Sequence, residues 1–266
     1  SVDFLGADGT IFRALDHVNL TVNQGHRLAV VGETGSGKSV LLLALMGLLP
    51  QNAVVTGEIR FQGQNLSALS EKEFRGLRGR HLAYVPQGTG QALNPLMRVG
   101  AQVAEPARIH QRMSRRAAMD GAVKILERMG IPHAQRRSRE YPHQYSGGMI
   151  QRALAAMGLV SGASLILLDE PTKGLDHQNR NAILHILKQF DRKTFVLVTH
   201  DLAFAQGFAD RITVMLNSRV VETAPAKDFI DRPLHPYAQA LLKARPGHGL
   251  KAPIHFHTEF FHLSGC

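Results

Sequence analysis

The stretch Gly32-Glu33-Thr34-Gly35-Ser36-Gly37-Lys38-Ser39 constrains this chain more than any other. It matches the spacing G-x-x-x-x-G-K-[ST] at every fixed position. An apolar run from Arg27 to Val31 precedes it and reads as a short buried strand; the run from Val40 to Gly47 follows and reads as a buried helix. In that context the glycines let the backbone fold closely around an anion, with successive N–H groups pointing inward. The helix adds the positive end of its dipole. Lys38 is then placed to reach the β- and γ-phosphates of a nucleoside triphosphate, and the Ser39 hydroxyl to ligate Mg²⁺.

A second segment supplies the acidic half of such a site. Leu165-Ile-Leu-Leu168 reads as a buried strand that delivers Asp169 and Glu170 to its carboxyl end, the edge where ligands of parallel sheets bind. Asp169 suits Mg²⁺, and Glu170 is placed to polarise a water for attack on the γ-phosphate. His200 ends another buried strand, Phe195 to Val198, and a neutral imidazole there could bridge phosphate and water. Further along, Ser146-Gly147-Gly148 leads into a helix and forms a second anion cradle. Two phosphate-binding surfaces on one chain suggest that two such domains sandwich ATP between them.

Composition narrows the class. A hydrophobic fraction of 44% and a charged fraction of 20% are those of a soluble globular protein. The longest apolar run, Val40 to Leu49, stops at Pro50 and is too short to cross a bilayer. No signal peptide is visible, and the chain begins at Ser1 without Met, which leaves room for a preceding segment. The single cysteine, Cys266, forms no intrachain disulfide and fits a reducing compartment. A net charge of +10 suits nucleic acid or an anionic membrane surface. The basic residues are nevertheless dispersed, and aromatics at 6% make no stacking platform for bases, so solvated basic faces are the reading kept and no nucleic-acid partner is expected.

The pattern along the chain is α/β. Leu15 to Val22 alternates like a half-buried strand, Val54 to Phe61 reads as another strand closed by a turn at Gln62 to Asn65, and Ser67 to Arg78 reads as a short polar helix. Strand-like runs vanish from about 88 to 157, where helix formers such as Ala117 to Met129 take over, so a helical subdomain inserted into the α/β body is expected. Apolar residues at Ile183, Leu184, Ile186, Leu187 and Phe190 mark a helix, and Ile212–Leu216 with Arg219–Glu222 a hairpin through Asn217-Ser218.

Six motifs in this order resemble the nucleotide-binding subunits of ATP-binding-cassette (ABC) transporters over nearly the whole chain. They are the phosphate loop Gly32–Ser39, Gln87 in Tyr84-Val-Pro-Gln87, the signature Ser146-Gly-Gly-Met149, Leu165–Glu170, Gly174-Leu175-Asp176, and His200 in Val198-Thr-His-Asp201. The resemblance implies an ABC-type P-loop ATPase core, a mixed sheet with flanking helices over residues 1–246, and a tail at 247–266. It implies a head-to-tail dimer with a second ATPase subunit, identical or a paralogue. Each ATP would lie between the phosphate loop of one subunit and Ser146, Gly147 and Gly148 of the other, with Asp176 beside it and Gln87 sensing Mg²⁺ and the γ-phosphate. An aromatic ring stacks on the adenine in this family; Phe4 is the choice from spacing, with Phe12 its rival. Two permease subunits and an extracytoplasmic solute-binding protein complete the implied machine, at the cytoplasmic face of a bacterial inner membrane.

Ala92-Leu-Asn-Pro95, Tyr141-Pro142 and His235-Pro-Tyr237-Ala-Gln-Ala-Leu-Leu242 narrow the resemblance to dipeptide, oligopeptide and nickel importer subunits. The short form of the subunit leans toward nickel or a metal chelate as cargo. The histidines His248, His255, His257 and His262 read as a flexible terminus or as a metal-binding tail. Lys173 departs from the small hydroxyl residue usual beside Asp176, and Met149 from the commoner glutamine. The alternative from another class is an ABC ATPase acting on nucleic acid or ribosomes, and the chain has none of the second cassette, coiled-coil insertion or zinc cysteines usual there.

Overall fold

The computed structural model describes residues 1–88 and 92–244. The chain opens with β1 (Val2–Leu5) and β2 (Ile11–Leu15), an antiparallel pair, then β3 (Arg27–Gly32), the phosphate loop and α1 (Lys38–Leu45). Strand β4 (Ala53–Val55) returns to pair with β1, and β5 (Arg60–Phe61) with β6 (Gln64–Asn65) forms a small ribbon. Helix α2 (Glu71–Leu77) leads to β7 (Leu82–Val85). Four helices follow: α3 (Val99–His110), α4 (Arg115–Arg128), α5 (Ala134–Arg137) and α6 (Gly147–Val160). The body resumes with β8 (Leu165–Asp169), α7 (His177–Lys188), β9 (Thr194–Thr199), α8 (Leu202–Phe208), β10 (Arg211–Leu216), β11 (Arg219–Pro225), α9 (Ala226–Asp231) and α10 (Pro236–Lys243).

Six strands make the main sheet in the order β11-β10-β3-β9-β8-β7, parallel except for the edge strand β11. Strands β3, β8 and β9 read as nearly continuous apolar runs because helices or strands cover both sheet faces. The pleat then sorts alternate residues into two cores. Ala29, Val31, Ile166, Leu168, Phe195 and Leu197 face the helical side with α3, α4 and α6, whereas Leu28, Val30, Leu167, Val196 and Val198 face α1 and the small antiparallel sheet. Fully burying a leucine or phenylalanine here is worth about 2–3 kcal/mol.

Two strand expectations need correction. Strand β2 ends at Leu15, and residues 16–26 carry no strand. His17 sits at φ 48, and Asp16 turns aside to receive Arg219 and the His17 ring, so extension stops there. Val18, Leu20 and Val22 still pack on the apolar core while Asn19, Thr21 and Asn23 stay exposed, which is why the alternation looked like a strand. The run from Val54 to Phe61 is likewise broken after Val55 and resumes at Arg60. The turns were legible: Gln62-Gly63 and Asn217-Ser218 both hold paired positive φ values, the geometry of tight hairpins. Helix α2 begins on a capping box of Ser70 and Glu73, after a short 3₁₀ turn at Leu66–Ala68. Among the described residues every element between β7 and β8 is helical. The histidine tail lies outside the described residues.

Candidate active site

Register gathers the site. Val31 pairs with Thr199 and Asp169 with Val198, so the carboxyl ends of β3, β8 and β9 meet at one sheet edge. Gly32 closes β3 against β10: a Cβ there would stand 2.2 Å from the Met215 carbonyl oxygen. Gly37, at φ 92, begins α1, and a Cβ on it would stand 2.4 Å from the Ala14 carbonyl oxygen. Between them Thr34 and Gly35 are exposed. The Lys38 ammonium folds over the loop, donating to the carbonyls of Gly32 (2.9 Å) and Glu33 (2.6 Å) and to Ser36 Oγ (3.3 Å). Burial pulls its pKa down, while the charges of Glu170, Asp169 and Glu33 pull the other way.

Ser39 Oγ donates to Asp169 Oδ1 at 3.1 Å, and the Tyr84 hydroxyl donates to Asp169 Oδ2 at 3.0 Å. Burial pushes the Asp169 carboxyl above the usual range and Glu170 adds to it, against the Ser39 and Tyr84 hydrogen bonds and the Lys38 charge. A hydroxyl and a carboxylate so placed are hard oxygen donors of the kind Mg²⁺ takes.

Glu170 sits in left-handed backbone at φ 47, its N–H donating to Val198 O at 2.9 Å. That conformation turns its carboxylate onto the end of β9. There it accepts from the His200 N–H (3.0 Å) and Thr199 Oγ1 (3.2 Å), and His200 Nδ1 lies 2.9 Å from both oxygens. The structure thus brings together the phosphate loop, Asp169, Glu170 and His200.

The other expected residues lie apart from that cluster. Gln87 is exposed just past β7, its loop tied to α6 by the Gln151 amide donating to Gly88 O at 2.8 Å. Ser146 caps α6, accepting from the Met149 N–H, and Gly147 and Gly148 form its first turn. Among the described residues no hydrogen bond joins them to the phosphate loop. Asp176 caps α7, and hydrogen bonds from the Asn179 backbone and side chain hold its carboxyl below the usual range. Phe4 and Phe12 pair across β1 and β2; Phe4 is half-buried on the core, Phe12 65% exposed. Sequence reasoning missed Tyr84 and Thr199 as partners of the two carboxylates. For Tyr84 the available signal was a phenol inside a buried strand, which needs a polar partner.

A glycine-rich loop and two strand-end carboxylates on a parallel sheet with a helical insertion define a P-loop ATPase of the ATP-binding-cassette type. The ABC transporter family model matches residues 15–173, and the chain belongs to that family as an ATPase that binds nucleotide. It is 41% identical over 250 residues to the dipeptide transport ATP-binding protein DppD of Escherichia coli, covering 92% of this chain and 76% of that one. It is 39% identical over 239 residues to the oligopeptide transport ATP-binding protein OppD of Bacillus subtilis, covering 88% and 67%. A putative peptide import ATP-binding protein of Brucella melitensis is 39% identical over 254 residues, covering 89% and 75%. Among solved structures, the dimeric post-hydrolysis state of the ATP-binding cassette MJ0796 with ADP and Pi superposes with a TM-score of 0.75 at 27% identity, covering 85% of this chain and 99% of that one. Among the described residues no helix is long and apolar enough to cross a membrane.

Proposed function

We propose that this chain powers a peptide importer by hydrolysing ATP in a dimer of cassettes docked on permease subunits. The observation that carries it is the shared sheet edge holding Lys38, Ser39, Asp169, Glu170 and His200. Arriving phosphates replace the Gly32 and Glu33 carbonyls as partners of Lys38, with the loop N–H groups around them. Ser39 and Asp169 would hold Mg²⁺, with Gln87 approaching from the β7 loop; the ion neutralises phosphate charge. Glu170 takes the proton of the attacking water, and His200 leaves the Glu170 carboxylate to meet the γ-phosphate. Ser146, Gly147 and Gly148 of a second cassette close the site, with Asp176 at the joint. Phe4, with Phe12 opposite, offers rings for the adenine.

Having no described membrane span, the chain would act at the cytoplasmic face of the membrane through permease subunits, fed by a solute-binding protein outside. Peptide cargo follows the names of the relatives above, in place of the nickel that the short form suggested. The test is ATP hydrolysis by the purified chain beside Glu170→Gln, with size-exclusion runs with and without Mg-ATP. The wild type should hydrolyse ATP. The variant should lose at least about 100-fold in rate and accumulate as an ATP-dependent dimer. A wild type that binds no ATP would sink the reading. In the host cell, the same variant should abolish uptake of labelled dipeptide and leave nickel uptake unchanged.

A further inference from the structure

The signature turn and the Asp176 turn lie apart from the phosphate loop but against each other. Gly148 is the second residue of α6, and its φ is not positive, so backbone conformation does not call for glycine there. Space does. A Cβ at position 148 would stand 2.7 Å from Asn179 Oδ1 and 2.9 Å from its Cγ, whereas one at Gly147 would meet nothing within 4 Å. The turn is held from behind: Arg152 Nε donates to Gly148 O at 3.1 Å and its Nη1 to Gly130 O at 3.0 Å, just past α4. The Asn179 amide is held as well. As the third residue of α7, Asn179 donates its N–H to Asp176 Oδ1 at 2.8 Å and its Nδ2 to Asp176 Oδ2 at 2.9 Å. Both oxygens of that carboxylate are thereby fixed by one residue, which turns its own Oδ1 toward Gly148. Ser146, Gly147 and Asp176 are exposed around this contact, and Gly148 is buried beneath it.

We propose that Asn179 is a positioning residue for the face that meets a second copy of this chain: it fills the notch over Gly148, aims the Asp176 carboxylate, and so joins the Ser146-Gly147 turn and the Asp176 turn into one surface. The proposal rests on the dimer reading above. It gives the two glycines different work. Gly147 lies open toward the partner, whereas Gly148 is glycine because the Asn179 amide occupies the space of its side chain. A surface fixed before pairing loses less conformational freedom on pairing than two independent turns would. A methyl group at position 148 then acts at a distance. It pushes the amide aside, breaks the Nδ2 bond to Asp176 and leaves that carboxylate free to turn away.

The experiment is a double-mutant cycle on Gly148→Ala and Asn179→Ala in a Glu170→Gln background, read in two ways. Urea unfolding without nucleotide reads the contact inside one chain. Gly148→Ala should lower the midpoint, and the same change in the Asn179→Ala chain should not, because the shortened side chain leaves room; Gly147→Ala is the control and should leave the midpoint in place. Analytical ultracentrifugation with Mg-ATP reads the pairing. Asn179→Ala should raise the dimer dissociation constant about tenfold, with Mg-ATP affinity unchanged at protein concentrations below pairing. Gly148→Ala should weaken pairing by a similar factor, and adding it to Asn179→Ala should cost nothing more. Unchanged pairing in Asn179→Ala overturns the proposal, as does a parallel loss of Mg-ATP affinity, which would mark general damage. So does a cycle in which the two effects simply add, because Gly148 would then act without Asn179. A background chain that stays monomeric in Mg-ATP removes the pairing and the proposed face with it, a result that the unfolding cycle, which needs no partner, keeps distinct from a missing contact.

Discussion

Asp169 shows how a single carboxylate is held ready at a sheet edge. It is 3% exposed, and each of its oxygens receives one hydroxyl, from Ser39 and from Tyr84. Tyr84→Phe removes one donor and leaves a buried charged oxygen unsatisfied, which costs about 1–3 kcal/mol. The sign of the pH dependence follows from the shift. The Asp169 carboxyl lies above its ordinary value in the folded chain, so its ionised form costs stability at neutral pH; that cost shrinks once pH falls below the folded value and is gone below the unfolded one. Losing Tyr84 raises it further. Urea unfolding should therefore find Tyr84→Phe destabilised at pH 7.5 by about 1–2 kcal/mol, with a smaller difference on the acid side. At this scale the phosphate loop was legible because the spacing of its glycines before Lys38 and Ser39 is a local pattern, even though the close approach of Gly37 to the Ala14 carbonyl shows only in the fold. Tyr84 and Thr199 were not, because their partners are set by register between strands distant in sequence.

Elements were legible where burial on both sides makes the pattern unambiguous, as in β3, β8 and β9. They were misread where an irregular segment lies on an apolar surface, because residues 16–26 alternate without a ladder to pair with. Caps connect neighbouring elements. Asp201 caps α8 by accepting from the Phe204 N–H at 3.0 Å and reaches across to Arg180 on α7 at 2.7 Å. Burial raises its carboxyl, but the N–H groups of Phe204 and Ala203 and the Arg180 guanidinium outweigh that and leave it below the ordinary value. Its contribution is fully present above the unfolded-chain value of about 4 and is lost as pH falls through the lower folded value. Asp201→Asn keeps a capping oxygen and loses the charge. It should cost about 1 kcal/mol at pH 7, and the difference from wild type should close as pH falls through the lowered folded value in acid titrations followed by circular dichroism.

At the scale of the whole molecule, Ser146 to Gly148 stand at the start of α6 and no hydrogen bond among the described residues joins them to the phosphate loop; in the proposed dimer each surface would be half of a site. The order of motifs announced both surfaces, but how α6 aims its first turn depends on packing of α3, α4 and β7 that periodicity does not encode. In a two-fold head-to-tail pairing, residues close to the axis meet their own copies. Lys173 is exposed beside the Gly174-Leu175-Asp176 turn expected at that joint, with its N–H donating to Glu170 O at 3.1 Å. Two such ammonium groups about 4–8 Å apart repel by about 1–3 kcal/mol at an effective dielectric between those of water and protein surface, before screening. Lys173→Ser, in the Glu170→Gln background with Mg-ATP, should therefore dimerise at lower protein concentration than the background alone. The advantage should be largest at low ionic strength and fade by about 0.5 M salt, as read by analytical ultracentrifugation. Equal dimerisation at every salt concentration would place Lys173 away from the axis. If the background instead forms no homodimer yet pairs with a second cassette, and Lys173→Ser does form a homodimer, the lysine acts against self-pairing, and charge at this turn selects a paralogue over a copy.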